Sequence, residues 1–172
     1  MQEIIIIAGP NGAGKTSFAN QYLPAAEEEL VFVNADEIAR AIADPTLPRR
    51  TLDLRAGREM LSRISTLVDA RIEFMFETTL ASLTYAQKIA VWQESGYSVA
   101  LIYLRLPSVE ASIRRVQRRV AEGGHDVPEN IIRQRFVKSL DYFQRLYKPV
   151  VDEWSIWDSL EGEFRLAEMW DD

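Results

Sequence analysis

Gly9-Pro10-Asn11-Gly12-Ala13-Gly14-Lys15-Thr16 stands directly after Ile4-Ile5-Ile6-Ile7-Ala8, and Ser17-Phe18-Ala19-Asn20 follows it. The octet matches G-x-x-x-x-G-K-[ST] at every fixed position. The β-branched run ahead of it reads as a buried strand, and the run behind it can open a helix. Glycines let successive backbone N–H groups turn inward as an anion nest. A helix starting there aims its positive end at the same point. Lys15 can reach the outer phosphates of a nucleotide, and the Thr16 hydroxyl can ligate Mg²⁺. Gly9, Pro10, Asn11, Gly12, Ala13, Gly14, Lys15 and Thr16 are therefore the expected nucleotide-binding residues.

The rest of the chain alternates strand and helix, which predicts a parallel sheet of about five strands covered on both faces. Strand one covers Glu3–Ala8. A helix then runs to about Tyr22, ended by Pro24. Leu30–Asn34 reads as strand two and Asp36–Ala43 as a short helix. A loop over Thr46–Arg50 leads to a long helix over Leu54–Ala70. Phe74–Glu77 is a short strand, Leu83–Ser95 a helix and Tyr97–Leu106 a buried strand. Val109–Ala121 is an arginine-rich helix, and Glu129 to about Trp154 is mostly helical. Ser155–Asp158 and Phe164–Met169 suit a final strand or hairpin. The length of 172 residues suits a single domain spanning the chain.

Composition narrows the class. No apolar run approaches the roughly 20 residues of a membrane span. There are no cysteines, which excludes disulfides and thiolate metal sites. These features suit a cytoplasmic protein. A net charge of -6 argues against a general nucleic-acid binder. Yet Arg105, Arg114, Arg115, Arg118, Arg119, Arg133 and Arg135 fall in one short stretch, as a focused anion site would require.

Several side chains can carry chemistry. Asp36 lies just past strand two, where ligands of open α/β sheets bind, and could take a proton from an acceptor hydroxyl; it could equally cap the helix after it. Glu77 closes an apolar strand in the loose shape of a Walker B element, and Thr79 could bond a substrate; Thr78 or Thr79 could instead cap the next helix. Along Val109–Ala121, Ile113, Val116 and Val120 form one stripe. Arg114 and Arg118 lie opposite it, while Arg115 and Arg119 flank it and can lean over a crevice. Arginines, the flexible Gly123-Gly124 loop, then Arg133 and Arg135 make the pattern of a closing lid over about residues 115–135; a charged surface hairpin is the alternative. His125 is the only histidine and reads as a structural or lid-loop residue. The aromatics from Tyr142 to Trp170 read mainly as packing, although one could stack on an adenine.

Together these residues resemble the zeta toxin family of P-loop kinases, over nearly the whole chain. The motifs are Gly9–Thr16, Asn34–Ala39, Ala56-Gly57-Arg58, Phe76–Leu80, Arg115-Val116 with Arg119-Val120, Gly123–Pro128 and Arg133-Gln134-Arg135. The resemblance implies transfer of the γ-phosphoryl of ATP or GTP, with Mg²⁺, to a hydroxyl of a UDP-sugar such as UDP-N-acetylglucosamine. It implies a separate antitoxin as a possible partner. Carried over residue by residue, Lys15 and Thr16 hold phosphate and Mg²⁺, and Asp36 is the base. Glu77 and Thr79 bind the acceptor, with Arg58 and Arg133 on the same side. Arg115 serves the nucleotide. Arg119 stabilises charge, and the second such arginine is Arg133 or, preferably, Arg135. Two other readings stay open: a nucleotide-dependent switch without an acceptor, and a kinase for nucleic-acid 5′ ends, which the acidic net charge disfavours.

Overall fold

The structure is a computed structural model and describes residues 1–23 and 30–171. Its framework is a six-stranded sheet in the order β2-β3-β1-β4-β5-β6. The strands are β1 (Gln2–Ala8), β2 (Val31–Val33), β3 (Phe74–Thr78), β4 (Tyr97–Arg105), β5 (Glu153–Leu160) and β6 (Glu163–Met169). The first five are mutually parallel, and β6 returns antiparallel along β5. The sheet therefore has one strand more than the sequence pattern predicts. β6 is a mostly exposed edge strand, so it lacks the apolar run that announces a buried strand.

Among the described residues six α-helices cover the sheet: α1 (Lys15–Tyr22), α2 (Ala35–Ala41), α3 (Arg49–Asp69), α4 (Ala86–Glu94), α5 (Val109–Ala121) and α6 (Glu129–Tyr142). Alternation along β1 assigns the two cores. Ile4, Ile6 and Ala8 join Phe74, Phe76, Val99 and Leu101 against α2, α3, α4 and α6. Ile5 and Ile7 join Met75 and Leu104 against Phe18 and Ala19 of α1. Ile4–Ile7 are at most 7% exposed, each worth roughly 1.5–3 kcal/mol of apolar burial. That burial makes β1 the fixed base from which the glycine loop springs. A small third core of Ile113, Val116, Val127 and Ile132 holds α5 and α6 together as a hairpin.

Element limits depart from the sequence reading in three places. α3 begins at Arg49 rather than Leu54, so Arg49 and Arg50 belong to its first turn and not to a loop. α4 starts at Ala86, because Ser82 and Thr84 close a local turn ahead of it (Thr84 N–H to Ser82 Oγ, 3.1 Å). α6 does not run on to Trp154. It passes into a π turn over Phe143–Tyr147, and Trp154 pairs in β5 opposite Leu101 of β4. Phe143 stacks on Tyr103 at 4.5 Å, and the Tyr147 hydroxyl donates to the Ser82 carbonyl at 2.6 Å. These tertiary contacts widen the last turn and end the helix. Pro24, the expected stop for α1, lies outside the described residues; α1 closes at Tyr22, with Leu23 as its C-cap.

Phe143 is fully buried. Phe143→Ala should cost about 3–5 kcal/mol of unfolding free energy, read as a fall in the urea midpoint with the m-value unchanged.

Candidate active site

The connections leaving β1 and β3 cross the sheet in opposite directions, since β1 leads to β2 on one side and β3 leads to β4 on the other. A crevice therefore opens between the carboxyl ends of these adjacent strands. Residues 9–16 fill the β1 side of it. The register sets Ile7 beside Glu77 and Ala8 beside Thr78, and Gly9 extends the ladder with an N–H bond to the Thr78 carbonyl at 3.3 Å.

The loop is locked from outside by α5 and β5. The Ser112 hydroxyl donates to the Asn11 carbonyl. Arg115 donates to the Gly12 carbonyl at 3.4 Å, to Ser159 Oγ at 2.7 Å and to the Ser159 carbonyl at 3.0 Å. The buried Ser159 passes the contact on, donating to the Ala13 carbonyl at 2.8 Å. Gly12 has φ 79°, and a Cβ there would stand 2.9 Å from Arg115 Cβ. Only glycine lets α5 press this closely on the loop. Neither Ser112 nor Ser159 is marked by any motif, so sequence reasoning misses both. Arg115, expected to serve the nucleotide, spends these hydrogen bonds inside the protein and lines the cleft with the rest of its side chain.

Lys15 is the centre of the site. Its Nζ donates to the carbonyls of Gly9 (3.0 Å) and Pro10 (3.2 Å). Burial pushes its ammonium below the usual lysine range, with Glu77 and Asp36 pulling it up and Arg119 and Arg135 pushing it further down. The structure thus brings Asp36, Glu77, Arg119 and Arg135, separated by as many as a hundred residues of chain, around one cation.

Each neighbour is delivered by a local device. The side chain of Asn34 caps α2, accepting from the N–H of Asp36 (2.9 Å) and Glu37 (3.4 Å). Asp36 is therefore not the cap, and among the described residues its half-buried carboxylate accepts no hydrogen bond. Glu77 is 7% exposed and accepts from Thr16 Oγ1 at 2.8 Å. After it, Thr78 Oγ1 accepts from the N–H of Leu80 (3.1 Å), and Leu80 is fully buried at a left-handed φ of 57°. That tight turn carries the half-buried Thr79, and neither threonine caps α4. A non-glycine residue held at positive φ is a strained feature of the kind that gathers at functional sites. Arg119 has its Nε buried without a hydrogen-bond partner among the described residues, and Asn11 Oδ1 shares that state. Buried polar atoms are rarely left so.

Other expected residues lie apart. Arg133 is on the outer side of α6, paired with Glu129 (2.8 Å) and Glu110 (3.5 Å). Arg58 is exposed on α3 and is not among the charges bearing on Lys15. His125 meets Arg49 Nη2 at 3.1 Å.

Beside the loop is a cleft of about 320 Å³ bounded by Gly14, Ser17, Arg115, Arg119, Ser159 and Phe164. The β5–β6 turn that closes it is another contributor no motif foretold. A wider depression of about 610 Å³, lined by Gln2, Arg71 and Glu73, sits at the opposite end of the strands, away from this chemistry. The Thr16 hydroxyl and the Glu77 carboxylate form an all-oxygen pair, which suits a hard cation such as Mg²⁺. Among the described residues no group of three or more carboxylate or histidine side chains could hold a metal alone. A cation here would draw its other ligands from phosphate and water, as Mg²⁺ does at nucleotide sites.

Comparison with known proteins places the family and the fold. The zeta toxin family profile matches residues 2–158. An uncharacterized protein of Haemophilus influenzae is 30% identical over 132 residues, covering 77% of this chain and 91% of its own length. The AvrRxo1-ORF1:-ORF2 structure with ATP superposes with a TM-score of 0.76 at 16% identity, over 98% of this chain and 58% of that one. The PezAT toxin-antitoxin system of Streptococcus pneumoniae gives 0.65 at 17% identity, over 98% and 72%. The Pnkp1/Rnl/Hen1 RNA repair complex gives 0.66 at 21%, over 84% and 46%. The chain thus spans about half the length of the AvrRxo1 and Pnkp1 chains it resembles. At these identities the structural likeness speaks to fold, which is that of the P-loop kinases. With its profile matched from residue 2 to residue 158, the chain belongs to the zeta toxin family.

Proposed function

We propose that this protein is a kinase that transfers the γ-phosphoryl group of ATP or GTP to a hydroxyl of a small acceptor, with a UDP-sugar such as UDP-N-acetylglucosamine the favoured acceptor. The observation that carries the reading is the convergence of Asp36, Glu77, Arg119 and Arg135 on Lys15. A nucleotide switch needs a group that positions water; it has no need of a half-buried aspartate released from capping by its neighbour Asn34.

In this reading the loop N–H groups and Lys15 bind the β- and γ-phosphates, and Lys15 exchanges the Gly9 and Pro10 carbonyls for phosphate oxygen. Thr16, with the Glu77 carboxylate hydrogen-bonded to it, would hold Mg²⁺, which would supply neutralising charge on the phosphate oxygens. Asp36 accepts the proton of the acceptor hydroxyl. The freed oxygen pair forms the bond to the γ-phosphorus as the bond to the bridging β-oxygen breaks and the nucleoside diphosphate leaves. Arg119 and Arg135 stabilise charge on the group in transit, and the buried unpaired Nε of Arg119 suits a phosphate oxygen. Residues 115–135 act as a lid over one domain spanning the chain. Glu77 and Thr79 face the acceptor, while Arg58 and Arg133, exposed on α3 and α6, lie apart from it. A separate antitoxin is the expected protein partner, by likeness to PezAT.

The test is incubation with Mg²⁺-ATP and a panel of UDP-sugars, nucleosides and a 5′-hydroxyl oligonucleotide, read as a mass gain of one phosphoryl group. Lys15→Ala should abolish transfer. Asp36→Asn should retain ATP binding and lose transfer by about 10²–10⁴-fold, the usual range for a general base. Arg119→Ala or Arg135→Ala should each lower kcat by on the order of 10³. ATP turnover with no phosphorylated acceptor would refute the kinase reading in favour of a switch. Phosphorylation of the oligonucleotide alone would refute the UDP-sugar.

A further inference from the structure

Arg49 opens α3 at a place where a cation is electrostatically unfavoured. The positive end of the helix dipole is there, Pro48 provides no side-chain cap, and the first turn holds no acid. Helix stability therefore does not explain Arg49, but its contacts do. Its Nη2 lies 3.1 Å from His125 Nε2 and donates to the Asp126 carbonyl. An arginine only donates, so His125 Nε2 is the acceptor and the ring carries its proton on Nδ1. Among the described residues these are the side-chain hydrogen bonds that tie α3 to the α5–α6 hairpin.

The connection that Arg49 grips is held on its inner side as well. The Gly124 N–H bonds the Arg119 carbonyl at 2.8 Å, and a Cβ on Gly124 would stand 2.5 Å from Arg119 Cγ. Val127 is buried among Ile113, Val116 and Ile132. Residues 123–128 thus lean on the arginine whose Nε is left unpaired over the site. One turn beyond Arg49, Asp53 acts on Arg135: burial lowers the Arg135 guanidinium from its ordinary range, Asp53 raises it, and the like charge of Arg49 itself pushes it down. Arg49 therefore bears on the hairpin's Arg119 through the connection, and it does not itself attract Arg135.

We infer that Arg49 is a positioning residue, a clamp by which α3 holds the 123–128 connection, and with it Arg119, over the phosphate loop. α2 and α3 pack on each other on the Asp36 side of the crevice, so the clamp joins the side expected to take the acceptor to an arginine expected to act on phosphate. What the clamped state accomplishes rests on the kinase reading above; that Arg49 holds the connection does not.

Hydrogen exchange separates the two. With Mg²⁺-ATP present, amides 123–127 should exchange about tenfold faster in Arg49→Ala than in the parent, the size expected for a hydrogen bond to a charged group. His125→Ala should do the same from the other side, and the double variant should add little to either single change. Arg49→Lys, which keeps the charge and one donor, should recover part of the protection. Once an acceptor is in hand, kcat in Arg49→Ala should fall by about tenfold with KM for ATP nearly unchanged, since closure is affected and not nucleotide docking. Unchanged exchange in both single variants would overturn the clamp, whatever the enzyme phosphorylates. Faster exchange with kcat intact would overturn the positioning role. A parent protein that phosphorylates nothing would sink the kinase reading while leaving the exchange result to decide the clamp.

Discussion

A cation withdrawn from water at the mouth of a buried strand is the constraint on which the rest of this structure depends. Lys15 follows a loop whose path is dictated by β1, and two of that loop's own carbonyls accept hydrogen bonds from its ammonium. Removing an ammonium from water is costly unless it is paired and hydrogen-bonded. Glu77 and Asp36 offset that cost, while Arg119 and Arg135 work against it. Such an arrangement is more cationic than its own carboxylates can balance comfortably. It is therefore electrostatically incomplete without an anion, and an anion with several oxygens would satisfy Lys15 and the unpaired Arg119 Nε together.

The scaffold serves to keep that cluster from relaxing. β1 is buried on both faces and fixed in register between β3 and β4, so the point from which the loop departs cannot drift. Arg115 and Ser159 then bind the loop's outer side to α5 and β5. Each of these hydrogen bonds is worth only about 0.5–1.5 kcal/mol net, but they act on a short segment with its base already anchored. Preorganisation of this kind lets donors meet developing charge without rearranging, which is where electrostatic catalysis gains most. The side of the crevice proposed as a lid is built differently. The α5–α6 hairpin has its own small core and meets α3 through exposed polar contacts, a construction suited to opening.

What the sequence made legible were features whose signal is local. The octet Gly9–Thr16, the acids closing β2 and β3, and the stripe of α5 all depend on neighbours within a few residues, so spacing alone located them. Arg133 and Arg135 are two residues apart and so nearly opposite on α6; Glu129, four residues before Arg133, is the local sign of a surface ion pair, and the structure has that pair. Asn34 rather than Asp36 caps α2 because the helix starts at Ala35, a point that propensity locates only within a residue or two. Ser112, Ser159 and Arg49 were not legible, because they act across 44 to 146 residues of chain and only the sheet order makes them neighbours. The π turn after α6 escaped for a similar reason: a helix ended by Phe143 and Tyr147 is decided by tertiary packing, not by residue preference.

Titration of the Lys15 ammonium by NMR, with the lysine side chains isotopically labelled and Lys15→Ala used for assignment, reaches the central claim most directly. Without nucleotide the account predicts a pKa below the ordinary lysine value of about 10.4, rising when Mg²⁺ and a non-hydrolysable nucleoside triphosphate are added, because phosphate supplies the missing negative charge. An ordinary value that does not respond to nucleotide would contradict it, and with it the view that the whole site is organised around this one cation.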